Sequence, residues 1–130
     1  DGSSMTIFFS KSFKVSPCLL IIQTKTKRIG AVLGSSIVPK PTKEYYGSLL
    51  SYIFDLESMD VYKCSGKNGY VMSVTNDCIQ IGGGKTGCAI FLEKGFQYVI
   101  SQACETFNSP PLINCARDKI DEIELYKLFK

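Results

Sequence analysis

Apolar residues in this chain come in short runs separated by turn-forming residues, and only the first few positions carry a helical spacing. There, Ser3 or Ser4 can cap a short helix whose Met5, Phe8 and Phe9 share one face. Cys18 to Ile22 is an unbroken apolar run between Pro17 and the polar stretch Gln23 to Lys27, the pattern of a strand buried on both faces. Arg28 to Gly34 is expected to pair back on it through Thr24-Lys25-Thr26-Lys27, and Ser35 to Gly47, with Pro39 and Pro41, reads as a loop.

Strand chemistry resumes at Leu50 to Leu56 and again at Asp60 to Cys64. Ser65-Gly66-Lys67-Asn68-Gly69 then predicts a hairpin turn back into Tyr70 to Val74, because Asn-Gly tolerates positive φ at both central positions. Thr75-Asn76-Asp77 turns once more into Cys78 to Ile81, giving an expected meander that ends in Gly82-Gly83-Gly84. Cys88 to Leu92 is a further buried run, and Ile120 to Phe129 fits either a final strand or a short helix. Short strands with frequent turn signals predict a mainly β (α+β) fold, an antiparallel β-sandwich of two sheets with one or two short helices.

Cys104-Glu105-Thr106-Phe107-Asn108-Ser109-Pro110-Pro111-Leu112 interrupts this rhythm. Neither proline can donate a ladder hydrogen bond, so the chain must leave regular structure there, while the apolar residues around it return at once to a core. The run describes a shaped, rigid loop on a β scaffold.

Composition narrows the possibilities. The 130 residues, 45% of them hydrophobic, suit one domain of residues 1–130 with one core. No apolar run approaches the roughly 20 residues a membrane helix needs, and the start does not resemble a secretory signal. An Asp-Gly beginning suggests a piece of a longer protein. Net charge is +3, yet residues 2 to 43 contain seven Lys and Arg and no Asp or Glu. No dense basic block with interleaved aromatics appears, so nucleic acid is not an expected partner, while peripheral contact with an anionic membrane is compatible with the basic half.

The six cysteines contain no Cys-x-x-Cys pair, which argues against a structural zinc and for reduced thiols in a cytoplasmic setting. Histidine is absent altogether. That removes the usual nucleophilic triads and the commonest general base, and the acidic group Asp118, Asp121, Glu122 and Glu124, mixed with Lys119 and Lys127, reads as a solvated face. Gly82-Gly83-Gly84-Lys85-Thr86 lacks the spacing of a phosphate-binding loop, since Ile79 stands where such a loop needs glycine. Three glycines instead suit a tight turn that lets another backbone approach closely. No catalytic residue, metal or cofactor is expected.

Read in order, Tyr52-Ile53-Phe54, Val61-Tyr62-Lys63, Gly66-Lys67-Asn68, Ile81 to Gly84, Ala89 to Glu93, Cys104 to Leu112 and Ile123-Glu124-Leu125-Tyr126 resemble a TLDc domain. Gly2-Ser3-Ser4 is similar to the family's Gly-x-Ser element, and Ile29-Gly30-Ala31 to its Phe-Gly-Ala strand. The chain departs from the family at Leu50, Ile100 and Tyr126, and the family's opening strand and turn are missing, which predicts an unpaired strand edge prone to self-association. The resemblance implies a β-sandwich without catalytic activity, found in oxidation-resistance proteins and in proteins that join it to a TBC domain. It implies protein partners, vacuolar-type proton ATPase subunits among them, a role in vesicle trafficking, and a place at the cytosolic face of endosomal or vacuolar membranes. Carried over by position, Gly2, Ser4, Gly30 and Gly83 are candidate partner-binding residues, with Glu105 added from its loop. Two other functions are compatible with the residues: oxidative-stress protection through a reactive cysteine, and phosphoinositide binding as a trafficking adaptor.

Overall fold

A computed structural model describes residues 17–128 of the chain. Nine strands run through them: β1 (Cys18–Thr24), β2 (Arg28–Leu33), β3 (Tyr52–Asp55), β4 (Asp60–Lys63), β5 (Met72–Val74), β6 (Ile79–Ile81), β7 (Ile90–Leu92), β8 (Tyr98–Ile100) and β9 (Asp118–Lys127). A 3₁₀ turn, Lys94–Phe96, precedes β8. The predicted opening helix falls outside the described residues. The mainly β prediction holds, and the ambiguous C-terminal segment is a strand.

All nine strands are hydrogen-bonded in one antiparallel sheet with the order β4-β3-β2-β1-β9-β8-β7-β6-β5. Where a sandwich of two sheets was expected, β9 bridges the two halves into one hydrogen-bonded sheet. Its C-terminal part pairs with β1, Cys18 opposite Lys127 through Gln23 opposite Glu122, while Asp118 and Lys119 pair with Val99 and Tyr98 of β8. A register shift at Gln23/Thr24 marks where β9 leaves one neighbour for the other. Residues of both halves, among them Leu20, Ile22, Ile53, Val74, Ile79 and Leu92, belong to one core cluster and are fully buried.

Two further expectations change. Asn68-Gly69 makes no hairpin between β4 and β5, which stand at opposite ends of the sheet. Positive φ falls on Gly66 (85°) and not on Gly69. The Asn68 side chain instead accepts the Tyr70 N–H at 3.0 Å, a local bond that turns the chain without the mirror-image geometry a two-residue hairpin needs. This segment carries the chain from one half of the sheet to the other. Likewise β1 is not buried on both faces: Cys18, Leu20 and Ile22 are fully buried, whereas Leu19 and Ile21 are half-buried, so the apolar run is an alternating strand.

The sheet's two ends differ. At β5, Tyr46 exchanges backbone hydrogen bonds with Met72, and the Lys40 N–H donates to Val74 O at 2.9 Å, so that edge is covered. Among the described residues nothing pairs with the far side of β4. Four residues long and bearing Asp60 and Lys63, it is a blunted edge, although Val61 is 54% exposed.

One ion pair ties distant segments of the first half together. Lys27 Nζ donates to Asp55 Oδ2 on β3 and, at 2.6 Å, to the Leu112 carbonyl that follows Pro110-Pro111. Asp55 Oδ1 also accepts the Glu57 and Ser58 N–H groups at 2.9 and 3.3 Å. Burial pushes the Asp55 carboxyl upward, and these donors outweigh it, holding the group below the usual carboxylate range. Because the folded value is depressed, the associated stability is present above the unfolded value of about 3.9 and is lost as pH falls through the folded one. Asp55→Asn, which leaves a largely buried ammonium facing a neutral amide, is expected to cost about 3 kcal/mol in urea unfolding at pH 7. The difference from wild type should shrink as the pH drops below about 4, and an unchanged difference would show that the pair carries none of the acid sensitivity.

Candidate functional site

The interrupting loop takes the predicted form. Pro110 and Pro111 are exposed while Ser109, Leu112 and Ile113 beside them are buried. Cys104 and Ser109 exchange backbone bonds, the Glu105 carbonyl accepts the Asn108 N–H at 3.3 Å, and Asn108 sits at φ 50° to close the turn. Ser101 fastens the far end: its hydroxyl donates to Ala89 O at 2.5 Å and accepts the Leu112 N–H at 2.7 Å.

Thr106 joins this loop to two others. Its fully buried hydroxyl accepts the Gly83 N–H at 3.0 Å and donates to Asn68 Oδ1 at 2.7 Å. Its carbonyl accepts the Ser65 N–H at 2.7 Å, and the Ser65 hydroxyl donates to Glu105 O at 2.6 Å. Three segments far apart in sequence, 65–70, 82–85 and 104–109, are therefore held by one side chain and its neighbours.

Glu105 explains why the glycine-lysine run is not a phosphate loop. Its Oε1 accepts the Lys85 N–H at 2.8 Å, so an internal carboxylate already stands where a bound anion would stand. A Cβ on Gly84, at φ 115°, would collide with that same oxygen. Gly83 has a different neighbour: a Cβ there would meet the Tyr45 hydroxyl at 2.7 Å. Tyr45 stacks on Tyr70 with ring centroids 4.6 Å apart, and Gln80 Nε2 donates to its hydroxyl at 2.8 Å. Tyr45 and Tyr70 remain 36% and 44% exposed, which leaves the stack open to a partner. Together with Lys67, Asn68, Gly84, Lys85 and Glu105 they line an open groove of about 540 Å³.

Of the candidate residues, Glu105 lines this groove, and Gly83 is buried behind it, against Tyr45. Gly30 does not join them. It lies in β2, where a Cβ would strike the Leu20 carbonyl and the Phe54 ring, so its glycine serves strand packing. Gly2 and Ser4 lie outside the described residues. Sequence reading missed Tyr45, Tyr70, Asn68, Gly84 and Thr106. Asn68, Gly84 and Thr106 lay within quoted motifs, whereas the tyrosines come from segments with no common spacing.

The six cysteines are free thiols. Burial pushes Cys18 and Cys88 up to about 11 and also raises Cys64, keeping these three protonated at neutral pH. Of the basic half, Lys27 is committed to Asp55, and the Lys40 ammonium lies 4.9 Å from the Tyr46 ring centroid. Among the described residues no cluster of His, Cys, Asp or Glu could hold a metal ion, and no helix is long and apolar enough to cross a membrane.

A nine-strand antiparallel sheet whose glycine loop is latched to a Thr-Phe-Asn-Ser-Pro-Pro-Leu loop defines the class. The TLDc domain family matches residues 1–129, and the chain belongs to that family. It is similar to the GTPase-activating protein skywalker of Drosophila melanogaster, 27% identical over 143 residues, covering 96% of this chain and 24% of that protein. Nuclear receptor coactivator 7 of Mus musculus is 24% identical over 127 residues, 96% of this chain and 13% of that protein, and the Homo sapiens protein gives the same figures. The chain thus spans a quarter or less of the length of these relatives.

Thr106→Val leaves the Gly83 N–H and the Asn68 carbonyl without their buried partner and should cost about 2 kcal/mol in thermal or urea unfolding. Thr106→Ser should recover most of that, and equal losses in the two variants would show that the methyl, not the hydroxyl, matters. Alkylation by maleimide at neutral pH should reach exposed Cys115 quickly and buried Cys18 and Cys88 only on unfolding. Rapid native labelling of Cys88 would contradict the burial argument.

Proposed function

We propose that this chain is a non-catalytic interaction domain of a larger protein, which docks onto a protein partner through the groove that Tyr45, Tyr70 and the 82–85 and 104–109 loops form. The observation that carries the reading is the Tyr45–Tyr70 stack, left partly exposed beside a loop cluster already locked by Thr106. Amphipathic aromatics on a rigid support give contact area at small entropic cost, which is the character of an interaction hot spot. The absence of histidine supports a role without bond-making. Membership in the TLDc family, with the resemblance described above, favours vacuolar-type proton ATPase subunits or a vesicle-trafficking assembly as partner, met at the cytosolic face of endosomal or vacuolar membranes.

Oxidant consumption by a thiolate has weaker support, because burial raises Cys18, Cys64 and Cys88. Phosphoinositide binding through the basic half is weakened by the commitment of Lys27 to Asp55. The GTPase-activating name of skywalker belongs to a protein of which this chain covers 24% and does not transfer to the domain.

Association with the purified cytosolic sector of a vacuolar-type proton ATPase, followed by biolayer interferometry, tests the proposal. Tyr70→Ala should weaken binding by about tenfold without altering thermal stability. Gly83→Ala, which displaces the Tyr45 ring, should weaken binding likewise. Unchanged affinity in both variants would remove the groove as the docking face, and no binding by the intact chain would remove that partner.

A further inference from the structure

Within the docking reading, which this inference rests on, the chemistry of the groove also selects the partner. We infer that the groove takes an extended acidic segment of a partner protein, whose Asp or Glu carboxylates meet Lys67 and Lys85 while an apolar or aromatic side chain rests on the Tyr45–Tyr70 stack.

Lys67 and Lys85 are exposed on the groove, and neither enters an ion pair among the described residues. Each ammonium brings three donors and no acceptor. The Tyr70 hydroxyl has no hydrogen-bond partner among the described residues, and Asn68, whose Oδ1 is taken by Tyr70 N and Thr106 Oγ1, lines the groove with its amide nitrogen beside Gly84. The one carboxylate in the lining, Glu105, has an oxygen engaged by the Lys85 backbone and so serves the loop before it serves a ligand. Donors and positive charge are in excess, so a complementary ligand supplies acceptors and negative charge.

A small anion is not the best occupant. The backbone N–H of Lys85, which such an anion would use, is already satisfied by Glu105. The groove is open and carries two ring faces, a surface that favours a ligand with apolar as well as anionic parts, as an acidic peptide has. Lys67 and Lys85 reach the groove from two different loops, so each can meet its own carboxylate of a peptide.

Panning the intact chain against a random peptide library, followed by calorimetric titration of the enriched peptides, tests the inference. Enriched peptides should be rich in Asp and Glu around an apolar or aromatic residue, and binding should weaken as salt is raised. Lys67→Glu and Lys85→Glu should each lower affinity about tenfold while leaving the unfolding temperature unchanged. Charge-reversed peptides should bind the double variant better than they bind the intact chain. Neutral or basic peptides that bind in a manner sensitive to Tyr70→Ala would overturn the acidic assignment and leave the docking reading standing. Enrichment insensitive to Tyr70→Ala and to both lysine variants would overturn both. In a parallel arm, vesicles of phosphatidylcholine with phosphatidylserine or a phosphoinositide are floated with the chain. Flotation that depends on Lys67 and Lys85, without acidic peptide binding, would replace the peptide by a lipid headgroup and overturn the inference.

Discussion

The ten-residue strand β9 is the constraint on which the molecule depends. Each half of the sheet is otherwise local: β1 to β4 and β5 to β8 are runs of sequential antiparallel neighbours. Among the described strands only β9 pairs with both, lying between β1 and β8. Without it each half would present an open inner edge, and the core shared by Leu20, Ile22, Ile79 and Leu92 would lose the strand pairing across its middle. Because β9 closes over a hundred residues after β1 begins, the most essential pairing is also the least local.

That closure positions the site. Joining the halves brings the crossover segment 65–70 against the β6–β7 loop and the run that follows β8, and the Thr106 hydroxyl then satisfies groups from both. Glu105 fills the anion-binding position of the glycine loop from within, so the loop is shaped before any partner arrives. A preformed groove loses little entropy on binding. The Lys27–Asp55 pair, reaching Leu112 O, anchors the other end of the same loop to the first half of the sheet.

Several elements were legible from short-range rules. β1, β2, β3 and β4 follow their apolar runs closely, the triple glycine is a loop between β6 and β7, and the double proline leaves the sheet between buried neighbours. Errors arose where a local signal met a longer-range demand. Asn68-Gly69 has the composition of a hairpin, yet Asn68 spends its side chain on Tyr70 and Thr106 and the strands flanking it part company. Gly30 and Gly83 were both candidate partner-binding residues, yet one makes room for Phe54 and the other for Tyr45.

By itself the sequence determined that the chain is mainly β, where most strands begin and end, that its Thr-Phe-Asn loop is special, and that imidazole chemistry is absent. Alternation, turn residues and proline act over a few bonds, so they can be read in order along the chain. Only the tertiary structure decided that the strands form one sheet, that Tyr45 stacks on Tyr70, and that Glu105 occupies the glycine loop. Those outcomes depend on which distant segments β9 brings together, a matter of non-local pairing that no window of neighbouring residues contains.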